Sequence, residues 1–138
     1  MMVRCVILPL IAAMLVSACA EPASREFFLL SDGTGEYRFQ VAMNDSTASY
    51  DISFYTVIDR PVAAPDTLRS FPLQIIWSSP SGRYASEEVF YPADSLQVRY
   101  RTGIVPSETG EWQLNVSVSP EPAGMRGLGI IVATNTIR

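Results

Sequence analysis

The chain has 138 residues, 48% of them hydrophobic and 17% charged, with a mean hydropathy of +0.17, which excludes a disordered chain and, beyond the first segment, a membrane-spanning one. All ten basic residues are arginine and histidine is absent, which excludes Ser–His–Asp, Cys–His and Ser–Lys chemistry. Fourteen acids bring the net charge to −4, a balance that disfavours nucleic acid as a partner.

Residues 1–18 predict a secretory signal peptide. Arg4 precedes an apolar run from Cys5 to Val16 that is too short for a permanent bilayer-spanning helix. The run closes in Val16-Ser17-Ala18-Cys19, which resembles a bacterial lipobox. The resemblance implies cleavage after Ala18 and lipid attachment at Cys19, where a thiolate is the nucleophile that accepts the diacylglyceryl group. Removing 18 of the 138 residues leaves 120, a length suited to one domain with a self-sufficient core. Arg4 and Cys5 leave with the signal, so nine arginines face fourteen acids (net −5) and Cys19 is the one remaining thiol. No disulfide, zinc site or thiol catalyst can be built from that inventory. The expected location is the outer membrane, held there by the N-terminal acyl chains, because residue 20 is alanine and not aspartate.

Residues 19–35 read as the acylated N-terminus and a tether, with Phe27 to Leu30 as a candidate edge strand and a turn cluster at Ser31-Asp32-Gly33. From residue 36 to 138 the hydrophobic period is close to two, which predicts strands. Tyr37, Phe39, Val41 and Met43 alternate with polar or small neighbours, and after an Asn44-Asp45-Ser46-Thr47 turn so do Tyr50, Ile52, Phe54, Thr56 and Ile58. Leu73, Ile75 and Trp77 share one face, and a weaker pattern follows over 84–91. Leu96, Val98 and Tyr100 oppose Gln97, Arg99 and Arg101. Trp112, Leu114, Val116 and Val118 form the cleanest alternation, and Leu128, Ile130 and Val132 the last. About seven short strands, each with one apolar face, predict an all-β domain, an antiparallel β-sandwich. A closed barrel is the competing architecture; the long connections at 59–70 and 102–109 favour crossovers between two sheets.

Few residues are candidates for chemistry. Glu87 and Glu88 are adjacent, so a strand points them to opposite faces, and Glu108 and Glu111 fall in a turn. No acid-rich calcium loop or phosphate-binding glycine motif is present, so the expectation is no catalytic residue, no metal and no cofactor. Trp77 and Trp112 are the residues that would stack on a sugar ring, yet their register with aliphatic neighbours favours the core. Arg99 and Arg101 read as edge-strand charges that discourage sheet-to-sheet pairing, with carboxylates of a partner as the alternative. The loop at 59–70, with Val62 and Leu68, reads as a crossover or as a docking loop.

The order of these features resembles the GldH-type gliding-motility lipoproteins of Bacteroidetes. The resemblance runs from the lipobox through YDISFYTVID and FPLQIIWSSPSGRYASEEVFYP to SETGEWQLNVSV and MRGLGIIVATNTIR. It implies an outer-membrane lipoprotein of an envelope gliding apparatus that is linked to protein secretion. No catalytic residue comes with it, and Cys19 is the only functional position it carries over. The function expected is therefore non-catalytic: a structural or assembly component that contacts the membrane and other envelope proteins. The alternative is a lipoprotein module that binds a glycan or another ligand.

Overall fold

Two-residue alternation with β-branched and aromatic residues on one phase leaves each segment with an apolar face that only a second layer can cover. The chain meets this with two stacked sheets. The computed structural model describes residues 23–59, 70–92 and 97–136. They form eight strands: β1 (Ser24–Leu30), β2 (Glu36–Met43), β3 (Ala48–Ile58), β4 (Phe71–Ser78), β5 (Tyr84–Tyr91), β6 (Gln97–Ile104), β7 (Gly110–Ser117) and β8 (Met125–Thr136), with no helix among the described residues. One sheet has the order β1-β8-β3-β6 and the other β2-β7-β4-β5, with every pairing antiparallel. This is the expected all-β antiparallel sandwich.

The strands number eight and not about seven. The extra one is β1, which contains the candidate edge strand Phe27–Leu30 and extends it back to Ser24, inside the stretch 19–35 otherwise read as a tether. It pairs with β8 from Ser24↔Ala133 to Leu30↔Gly127, so the folded domain begins well before residue 36. Its weak alternation has a physical cause. β1 is an edge strand whose residues stay mostly exposed, so burial never imposed a period on them.

The connections expected at 59–70 and 102–109 each join the first sheet to the second (β3 to β4, β6 to β7), although 102–104 belong to β6 and the second connection is only 105–109. Residues 60–69, with Val62 and Leu68, lie outside the described residues, as do Ala18 and Cys19.

The core is what the alternating phase predicts. Tyr37, Phe39, Val41 and Met43 point inward from β2, Tyr50, Ile52 and Phe54 from β3, and Leu128, Ile130 and Val132 from β8. Leu73 and Ile75 of β4 and Leu114 and Val116 of β7 point inward from the same sheet as β2, with Ile75 opposite Val116. Each such fully buried side chain contributes about 1.5–3 kcal/mol relative to exposure. The Asn44–Thr47 turn forms as expected: the Asp45 carboxylate accepts from the Thr47 backbone N–H at 2.8 Å and from its hydroxyl at 2.6 Å.

Both sheets share two ends. The lower end collects Ser24 of β1, Met43 of β2, Ala48 of β3, Ser78 of β4, Tyr84 of β5, Ile104 of β6 and Gly110 of β7. At the upper end, Tyr37 donates its hydroxyl to Glu121 Oε1 at 2.5 Å, and burial together with that carboxylate pushes its pKa up to about 12.

Candidate functional site

The lower end is where the inner faces open to solvent. Trp77 closes β4 and Trp112 opens β7. Both keep the inward phase of their strands yet are only half-buried, because no further layer of residues lies beyond them. Together with Met43, Tyr100, Ile104 and Pro106 they line a cleft of about 650 Å³ between the two sheets. A volume of that order is in the range of small-molecule sites. The expectation that both tryptophans belong to the closed core is thus corrected: they pack against it and also form the wall of an open cleft.

The third aromatic, Tyr100, is placed by an irregularity. β6 pairs with β3 through Tyr50↔Ile104, Ile52↔Arg101 and Ser53↔Arg99, so its register slips twice and skips Tyr100. Such bulges bend a strand and re-aim its side chains. Gly103 sits in the slipped stretch at φ +66, a left-handed geometry that favours glycine, and its N–H donates to Asp51 Oδ1 at 2.8 Å.

A closed polar network results. The Trp77 ring stacks on Tyr100 with centroids 6.3 Å apart and planes 13° from parallel, and its Nε1–H donates to the Tyr100 hydroxyl at 2.8 Å. Trp112 meets Trp77 edge to face, at 6.1 Å and 81°, and donates its own Nε1–H to the Glu108 carbonyl at 2.9 Å. Tyr100 in turn donates to Glu87 of β5, which also holds Arg101 Nη2 at 2.7 Å. The guanidinium lies 5.5 Å from the centroid of the Tyr100 ring. Glu87 and Arg101 thereby staple the free edges of the two sheets together.

The electrostatics follow from this geometry. The hydroxyl of Tyr100 and then the guanidinium of Arg101 hold the Glu87 carboxyl below its ordinary value of 4.5. Burial, reinforced by the Glu87 carboxylate, pushes the Tyr100 hydroxyl up. Beside the cleft, Glu108 accepts from the Ser81 N–H at 3.1 Å and the Ser81 hydroxyl at 2.9 Å, and the hydroxyls of Ser79 and Ser81 lower its pKa. This ties the loop after β6 to the β4–β5 turn. Trp112 also borders a second depression of about 410 Å³ with Gln40, Ser79 and Gln113.

The other residues singled out in the sequence separate. Glu87 faces Tyr100, while Glu88 points to the outer face and takes a bond from Gln74, so the two carboxylates share no site. Glu108 grips a turn and Glu111 stands exposed on β7 opposite Ala42. Arg101, read as an outward edge charge, is paired within the chain, whereas Arg99 makes no ion pair among the described residues. Those residues contain no cluster of three acids or cysteines placed to hold a metal ion. Tyr100 is the cleft residue whose place in the network the pattern concealed. Alternation marked it as inward, but nothing in Leu96–Arg101 announces the bulge that brings it and Arg101 to the same carboxylate.

No family model matches the chain, and no curated protein matches it. Among solved structures it is similar to TmCBM61, a carbohydrate-binding module solved in complex with beta-1,4-galactotriose. Identity is 16% and the TM-score 0.38, over 82% of this chain and 70% of that one. It is also similar to dimeric latent PorU from Porphyromonas gingivalis, at 10% identity and a TM-score of 0.35. That match covers 83% of this chain but only 13% of PorU. The sandwich architecture itself rests on this chain's own strand pairing.

Proposed function

We propose that this chain is a non-catalytic lipoprotein of the bacterial cell envelope, anchored through Cys19, which acts by binding a saccharide in the cleft at its lower end. The observation that carries the reading is the wall of Trp77, Tyr100 and Trp112 beside a fixed carboxylate and guanidinium. A sugar presents C–H faces that pack on aromatic rings and hydroxyls that bond to charged groups, and this cleft offers both. The network is already closed before any ligand arrives, so binding would spend little on ordering side chains.

Titration of the protein with an oligosaccharide panel tests the reading through intrinsic tryptophan emission. We expect a saturable change with one sugar class, lost in Trp112→Ala while the fold survives. Emission indifferent to every sugar would overturn it.

A second reading, the assembly component implied by the GldH-type resemblance, draws on a different surface. Ile76, Tyr84 and Phe90 are exposed large apolar residues of the adjacent strands β4 and β5, at 43%, 78% and 64%. Crosslinking in intact envelopes that captures secretion or motility proteins through these residues would favour it.

A further inference from the structure

The strand ends fix where an anchor must pull. The chain is held in the first sheet as far back as Ala23, whose carbonyl accepts the Thr134 N–H at 2.8 Å. Ser24, the first residue of β1, lies opposite Ala133, and Ala133 lies opposite Asp51 near the start of β3. The amino terminus therefore leaves the sandwich at its lower end, the end that holds the cleft. Only residues 20–22 separate Ala23 from Cys19. Four Cα-to-Cα steps reach at most about 14 Å, whatever path they take. The upper end lies a full strand away: β3 alone has 11 residues, roughly 37 Å at 3.4 Å per residue.

We infer that the lower end of the sandwich rests on the membrane that holds the acyl chains, with the mouth of the cleft turned toward the lipid headgroups. This rests on the anchored reading proposed above. The residues at that end suit an interface. Tyr84 is 78% exposed and Val105 57% exposed, and the indoles of Trp77 and Trp112 stand half-buried behind them. Aromatic side chains with one polar atom settle at the headgroup level, where the ring meets apolar surface and the polar atom stays wet. The face around the cleft mouth thus meets a lipid surface, because the tether is too short to hold the domain clear of it, and a saccharide that enters the cleft is one carried at that surface.

Both tryptophans lie at the lower end, so the unmodified protein reports its own orientation. The acylated full-length chain is placed in vesicles of phosphatidylethanolamine and phosphatidylglycerol, with or without lipids brominated near the headgroup. Emission should fall roughly twofold with the brominated lipids, as for indoles at an interface. A Val57→Trp reporter at the upper end, with both native tryptophans changed to Phe, should be unaffected. If that triple variant does not fold, wild-type protein with eight extra Gly/Ser residues after Cys19 replaces it and should lose the quenching. Unquenched wild-type emission in a chain that mass spectrometry shows to be acylated overturns the inference and leaves the anchor standing. A chain that carries no acyl group overturns the anchor itself.

Discussion

The middle of the sandwich and its lower end are built from the same alternating strands but serve different ends. In the middle, Ile52, Ile75, Leu114 and Ile130 are fully buried within one hydrophobic cluster. At the lower end the same inward phase yields Trp77, Tyr100 and Trp112, each carrying a polar atom that finds a partner and a ring that remains partly open. The phase of a strand fixes the face of the sheet, while position along the strand fixes depth. A residue type with a polar handle is tolerable where depth runs out.

The sharpest way to break the contrast is to empty the middle. Ile130 lies between Phe27 and Phe54 in the register, and Ile130→Ala should cost about 2–5 kcal/mol, read as a lowered urea midpoint. Next is Gly129, where an added Cβ would lie 2.2 Å from the ring of Tyr55, which itself stacks on Phe28 at 5.7 Å. Gly129→Ala should therefore cost about 1–3 kcal/mol by forcing that ring off the sheet. The smallest effect belongs to the lower end. Tyr100→Phe removes the bond to a partly exposed carboxylate and the acceptor of the half-buried Trp77 Nε1–H, so it should cost about 1–2 kcal/mol.

That last variant also has a pH signature. Because the folded state holds the Glu87 carboxyl below 4.5, its contribution is fully present above that value. The contribution is lost as pH falls through the lowered folded value. Acid denaturation curves of wild-type protein should show this loss below pH 4.5, and those of Tyr100→Phe should show less of it.

Most of the fold was legible in the sequence because burial writes itself as a period of two. β2, β3, β4, β7 and β8 each follow it, with the inward residues as expected. Two features were not legible, each for a physical reason. The extent of β1 is one: Phe27–Leu30 read as a candidate edge strand, but exposed faces leave no burial period to mark its start at Ser24. The slipped register of β6 depends on which residues of β3 it meets, information that no local stretch contains. The cleft was legible only in part. Trp77 and Trp112 stood out as residues, but their exposure follows from lying at the end of the sandwich, and Tyr100 joins them through the bulge.

The connections carry one more consequence. Of the links between successive strands, only β4 to β5 stays within a sheet; all the others cross from one sheet to the other. β8, the last of the described strands, sits between β1 and β3 and gives both their partner. A nascent chain that has reached β7 therefore holds every strand of the second sheet but lacks β8, without which β1 has no partner in the first, so closing the sandwich must wait for a nonlocal pairing that forms late. Such wiring keeps the first sheet open until β8 is available.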